Sequence, residues 1–178
     1  ASHTGSMAGE GAIYDAAFKR AGIFRVDTIE ELFDCAELVA KQPVPKGSGL
    51  AVVTNAGGPG VMAADALAKF GLEPVSLRPE TKKKLDEFLP SFWSRGNPID
   101  ILGDATPERY LRAVEVCTSA SEINGLVIIF VPQAVSDAAD VAETLSKILR
   151  GKSYPIFAVW MGGESVEKGR EIFSKAGI

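Results

Sequence analysis

From Leu50 onward, short apolar runs alternate with longer amphipathic ones, and this alternation constrains the fold more than any other feature of the chain. The apolar runs are LAVVTN (50–55), EPVSL (73–77), NPIDIL (97–102), NGLVIIFV (124–131) and YPIFAVWM (154–161). Most are rich in β-branched residues and all have strand length. After them come VMAADALAKFG (61–71), PETKKKLDEFL (79–89), TPERYLRAVEVCTS (106–119), AVSDAADVAETLSKILR (134–150) and SVEKGREIFSKAG (165–177). These carry apolar residues at helical spacing. Strands that alternate with helices through short connections form right-handed βα units, and so a parallel sheet covered on both faces. The expected class is α/β, a doubly wound, flavodoxin-like parallel sheet over about residues 48–178.

The first forty residues break this rhythm. GEGAIYDAAFKRAG (9–22) and VDTIEELFDCAELVAKQ (26–42) read as two helices, the first closed by Gly22 and the second opened by Asp27 or Thr28. Glu30 and Glu31 fall in the first turn, where the helix dipole favours negative charge. Pro43 to Gly49, PVPKGSG, reads as a linker. The expected organisation is 1–47 and 48–178. The chain stops at KAGI, just where a further strand should begin, so a fragment of a longer chain is expected.

Charge and composition exclude several classes. The net charge of -4 argues against nucleic-acid binding, which needs clustered Lys and Arg. The one basic run, Lys82 to Lys84, lies among Glu80, Asp86 and Glu87 and reads as a solvated helix face. No apolar stretch approaches the ~20 residues that cross a bilayer, and no signal peptide opens the sequence, so a cytoplasmic protein is expected. Cys35 and Cys117, far apart and on apolar helical positions, read as two buried reduced thiols with no metal spacing.

Ligands of such sheets bind at the carboxyl ends of the strands. The loop TNAGGPGVMAAD (54–65) follows the first strand there. Gly57, Gly58 and Gly60 permit close backbone approach and positive φ, and Pro59 fixes the turn before the helix. The N–H groups of the helix start then face the strand ends, which makes a phosphate cradle. It is neither a Walker loop nor a dinucleotide fingerprint. GNPIDILGDAT (96–106) places Asp100 and Asp104 in a second loop and Thr106 as an N-cap, too few ligands for a hard cation. WMGGES (160–165) is a third, glycine-rich turn, and VPQAVSD (131–137) a fourth, with Ser136 as an N-cap. His3 is the one histidine and has no GxSxG partner. Its setting, SHTGSMAG (2–9), fits either a cloning remnant or a mobile loop with a nucleophilic imidazole.

Three stretches in order resemble the NDP-forming acyl-CoA synthetases, the superfamily of succinyl-CoA synthetase. ASHTGSMAG resembles the phosphohistidine loop of ADP-forming acetyl-CoA synthetases. VVTNAGGPGVMAADALAKFGLEPVSL with NPIDILGDATPERY resembles the ligase-CoA domain, and PIFAVWMGGESVEKGREIFSKAGI its closing βα unit. The resemblance implies an acid–CoA ligase that converts acyl-CoA, ADP and phosphate reversibly to acid, CoA and ATP through an acyl phosphate and a phosphohistidine. It makes His3 the phosphorylated residue. Asn55, Ala56, Gly57, Gly58, Pro59, Gly60 and Val61 then face the phosphoryl group, and Asp100, Gly103, Thr106, Gly162 and Gly163 border the site. It also implies that residues 1–47 are the phosphohistidine loop and helical tail of a preceding domain. CoA, ADP or ATP, phosphate and Mg are implied through a CoA-binding domain and an ATP-grasp domain or subunit elsewhere, with no cofactor held directly, no metal site and no membrane. The acid is a small carboxylic acid and the assembly an oligomer.

Two other classes compete. Synthetase-like regions also serve as ligand-sensing modules of GNAT-type lysine acetyltransferases, but an intact SHTG histidine has no use in a sensor. A flavin-binding domain would show a Thr/Ser-rich phosphate loop, which the first βα turn lacks.

Overall fold

The computed structural model describes residues 11–178. The chain divides into two compact units, Ala1–Ala40 and Lys41–Ile178. The first unit holds α1 (Gly11–Ala21) and α2 (Ile29–Lys41 at its end). Thr28 is the residue that opens α2: its hydroxyl accepts the Glu31 N–H at 3.1 Å, and the Glu31 carboxylate reaches back to the Asp27 N–H at 2.8 Å. This reciprocal pairing satisfies donors that the first turn leaves orphaned. Neither helix buries a residue, and Ile29, Phe33 and Val39 stand exposed. Cys35 is half-buried, a correction to the expected buried thiol, whereas Cys117 is buried as expected.

The second unit is an α/β domain. Its elements are β1 (Leu50–Thr54), α3 (Gly57–Lys69), α4 (Pro79–Asp86), β2 (Ile99–Asp100), α5 (Pro107–Ser119), β3 (Gly125–Phe130), α6 (Ala138–Leu149), β4 (Ile156–Trp160) and α7 (Glu167–Ala176). A 3₁₀ turn at Gly163–Val166 precedes α7. The four strands are all parallel in the order β2-β1-β3-β4, with Leu50 opposite Gly125 and Leu126 opposite Ile156. Side chains alternate between the faces of a strand. Ala51, Val53, Leu126, Ile128, Phe130, Ile156 and Trp160 enter the main core with Tyr110, Val114, Val141, Leu145 and Phe173 from the helices. Thr54, on the opposite face of β1, meets α3 at Gly60. Phe130 stacks on Trp160 at 5.4 Å, and Trp160 meets Phe173 edge-on at 4.6 Å.

Three expectations need correction. EPVSL is no strand of the sheet. Its Val75 N–H donates to the Leu50 carbonyl at 2.9 Å, and a side chain supplies the remaining bonds. Asn97 donates to the carbonyls of Leu50 (2.9 Å) and Val75 (3.0 Å), and accepts the Val52 N–H (2.9 Å). Pro74 has no N–H to contribute to a ladder. The second correction is at α6, which Asp137 caps instead of Ser136, accepting the N–H groups of Ala139 (2.8 Å) and Asp140 (3.2 Å). The third is that α3 starts at Gly57, four residues earlier than the pattern predicts.

Candidate functional site: a convergence of four loops

β1 ends in a turn that the sequence builds from its own side chains. The Thr54 hydroxyl accepts the Ala56 N–H at 3.0 Å and donates to the Ala56 carbonyl at 2.9 Å. Ala56 is the extended N-cap of α3 and has no side chain to cap the helix. The first intrahelical bond runs from the Gly60 N–H to the Ala56 carbonyl at 3.3 Å. Pro59 sits in the first turn, where a missing N–H costs nothing because that donor has no helical partner. The N–H groups of Gly57 and Gly58 therefore head a thirteen-residue helix without a side-chain cap among the described residues. They carry the positive end of its dipole.

None of these three glycines has positive φ, contrary to the expectation from sequence. Gly60 is needed for closeness: a Cβ there would lie 3.0 Å from Thr54 Cγ2 and 3.3 Å from Pro98 Cβ. Gly58 faces open space, and a Cβ on Gly57 would lie 3.2 Å from Asp100 Oδ2.

The other loops join this one by specific contacts. Asn55 is buried, and its amide pairs with both backbone groups of Val131: it donates to the carbonyl at 2.8 Å and accepts the N–H at 2.9 Å. Asp100 accepts the Leu102 N–H at 2.9 Å, which holds Leu102 at φ 71. A Cβ on Gly103 would lie 3.8 Å from the Gln133 side chain and 3.9 Å from the Asn55 carbonyl. Gly162 packs so closely on Pro132 that a Cβ would come within 2.7 Å of its Cγ, and Gly163 takes φ 59. Residues 55–58, 100–103, 131–133 and 162–163 thus meet at the carboxyl ends of the strands, where ligands of open parallel sheets bind.

Two predicted residues have other uses in the described geometry. The Thr106 hydroxyl accepts the Arg109 N–H at 3.3 Å and caps α5. Val61 lies one residue into α3 beyond Gly60 and is exposed. His3 lies outside the described residues. Sequence reasoning placed the loop of Pro132 and Gln133 at the strand ends but gave neither residue a role; the signal was their place directly after an apolar strand. It also missed Arg109, which donates to the Ile101 carbonyl at 3.1 Å and pairs with Asp104. The Arg109 hydrogen bonds hold the Asp104 carboxyl below its usual range. Beneath the site, the buried Tyr110 hydroxyl donates to the Ile129 carbonyl at 2.8 Å, and burial pushes its pKa far up.

Chemically, the four loops offer backbone donors, a helix dipole and carboxylates. Their described residues hold no histidine, cysteine or lysine, so they suit the binding of an anion but supply no imidazole, thiol or amine nucleophile. Among the described residues no three His, Cys, Asp or Glu side chains gather as a metal site. No helix there is long and apolar enough to cross a membrane.

The Ligase-CoA domain matches residues 50–178, and the succinyl-CoA ligase like flavodoxin domain matches residues 1–39. The acetate–CoA ligase (ADP-forming) I of Archaeoglobus fulgidus is 41% identical over 99% of this chain and 25% of its own length. The acetate–CoA ligase (ADP-forming) II subunit alpha of Pyrococcus furiosus is 36% identical over 100% of this chain and 40% of its own. The acetyl-coenzyme A synthetase 1 of Ca. Korarchaeum cryptofilum, solved with phosphate and ADP, superposes with a TM-score of 0.91 at 32% identity. That superposition covers 99% of this chain and 39% of that one. The chain thus spans between a quarter and two-fifths of the length of these relatives. A parallel α/β domain with glycine-rich loops gathered at its strand ends, matched over residues 50–178, belongs to the Ligase-CoA domain family.

Proposed function

We propose that this chain is part of an ADP-forming acyl-CoA synthetase, an acid–CoA ligase in which acyl-CoA, ADP and phosphate give acid, CoA and ATP reversibly. The reaction runs through an acyl phosphate and a phosphohistidine, with His3 as the phosphocarrier. The uncapped N–H groups of Gly57 and Gly58 receive the phosphoryl group as it passes between acyl phosphate and imidazole. Asn55, Ala56, Pro59, Gly60 and Val61 shape that turn, and Asp100, Gly103, Thr106, Gly162 and Gly163 border it. Residues 1–47 belong to the histidine-bearing domain and 48–178 to the Ligase-CoA domain. A CoA-binding domain and an ATP-grasp domain or subunit complete a cytoplasmic, oligomeric enzyme, and these use CoA, nucleotide and Mg. The acid is a small carboxylate.

One observation carries this reading. The head of α3 offers two uncapped backbone donors at the carboxyl ends of a parallel sheet, and the surrounding loops contain no imidazole of their own. A site of that kind stabilises phosphate but needs a nucleophile brought to it. Transfer then breaks the acyl phosphate P–O bond and forms a P–N bond at the unprotonated ring nitrogen of His3. The carboxylate leaves, and the other ring nitrogen keeps its proton.

The test is phosphotransfer in the complete enzyme, wild type and His3→Ala, with labelled ATP and Mg. Acid-labile, base-stable label that disappears in the variant is the expected result. Absence of label in the wild type, with CoA or acyl-CoA still bound, would replace this reading with a ligand-sensing module.

A further inference from the structure

Gln42, the residue directly after α2, reaches across the second unit. Its side-chain oxygen accepts the Ile156 N–H at 3.1 Å, and its amide donates to the Gly177 carbonyl at 3.3 Å. Ile156 opens β4, and Gly177 is the left-handed C-cap of α7. The far end of Pro43–Gly49 is fastened as well. The Gly49 carbonyl accepts the N–H groups of Asn124 (2.6 Å) and Gly125 (3.1 Å), and its own N–H donates to Asn124 Oδ1 at 3.4 Å. Gly47 packs on the same side chain, where a Cβ would lie 2.5 Å from Asn124 Oδ1. A short run that contains Pro43 and Pro45 and is held at both ends has few conformations left.

We propose that Gln42 is a positioning residue: it fixes the point from which the histidine-bearing unit leaves the Ligase-CoA domain. The freedom of the connection then lies on the N-terminal side of Gln42, and Pro43–Gly49 is a strap. This rests on the reading of His3 as phosphocarrier. α2 has thirteen residues and is a stiff arm about 20 Å long at 1.5 Å per residue. Releasing its base adds residues 42–46 to the flexible connection, because Gly47 and Gly49 stay fastened at Asn124. The effective concentration of a tethered group falls roughly as the −3/2 power of flexible length, so lengthening a joint from about two residues to about seven lowers it about sixfold.

The variant Gln42→Met keeps the bulk and loses both hydrogen bonds. Amide relaxation in the full chain should show Val44 and Lys46 as ordered as β1 in the wild type and mobile in the variant. In the complete synthetase, single-turnover labelling of His3 should slow about sixfold at an unchanged half-saturating ATP concentration. Gln42→Glu, which can still accept from Ile156, should recover part of the rate. Asn124→Ala loosens only the other end and should leave the rate unchanged. A mobile strap in the wild type, or a wild-type transfer rate in Gln42→Met with the strap mobilised, would overturn the proposal. No His3-dependent label in the wild type would instead overturn the phosphocarrier reading and with it the role of Gln42 in transfer, while an ordered wild-type strap that Gln42→Met releases would still establish Gln42 as the anchor.

Discussion

Asn55 holds Val131 by both of its backbone polar atoms, at 2.8 and 2.9 Å, and so ties the carboxyl end of β1 to that of β3. The residue is 1% exposed. Its contribution is therefore to set the spacing of two loops, while the donors proposed to receive the phosphoryl group are backbone groups beyond it, at Gly57 and Gly58.

Asn55→Ala should destabilise the second unit by about 2–4 kcal/mol, because two buried backbone groups lose their partners. Urea unfolding would measure this. A loss below about 0.5 kcal/mol would mean that water or a rearranged loop replaces the clamp.

The glycines of the α3 start should separate by substitution. Gly60→Ala drives a Cβ against Thr54 and Pro98, and overpacking of this kind costs about 1–3 kcal/mol before any gain in helix propensity. Gly58→Ala meets nothing within 4 Å and should be neutral or stabilising by up to about 1 kcal/mol. Equal effects in thermal melts would show that conformational freedom, and not contact, selects these residues.

Acid stability should depend on Glu122. Burial pushes its carboxyl up, but the Thr81 hydroxyl at 2.6 Å and the Arg78 N–H at 3.0 Å outweigh that, and the net shift is downward. A carboxyl lowered in the folded state adds stability above its unfolded value, and this is lost as pH falls through the folded value. Glu122→Gln should flatten the stability curve below about pH 5; an unchanged acid limb in denaturant melts would remove Glu122 from the account.

The two thiols should react in a fixed order. Cys117 is buried, and burial pushes it up to about 12, so little thiolate forms near neutral pH. Cys35 is half-buried. Iodoacetamide at about pH 8 should label Cys35 in the native chain and Cys117 only on unfolding, as read by peptide mass. Early labelling of Cys117 would reveal local opening of α5.

The βα order was legible because apolar runs such as GLVIIF and IFAVW have strand length, are rich in β-branched and aromatic residues, and are each followed by a helical pattern. The start of α3 was not legible: Gly57, Gly58 and Pro59 look like a loop by propensity, yet each sits in the first turn, where a weak helix former costs least. EPVSL was misread because alternation cannot reveal that one amide, Asn97, replaces a strand's ladder. The glycines of the site were legible as a group, but their reasons were not. Gly60 and Gly162 answer to neighbours 38 and 30 residues away, at Pro98 and Pro132, and such pairs leave no local signature.

The register of the sheet has a consequence for how the chain is made. β1 lies between β2 and β3, and Leu50 pairs with Gly125, 75 residues later. At about 5–20 residues per second on the ribosome, the LAVVT run waits about 4–15 s for its principal neighbour. During that interval its apolar edge is open to any other strand nearby. Nascent chains of this protein should therefore bind a chaperone most strongly after residue 54 emerges, and release it once Phe130 has cleared the tunnel.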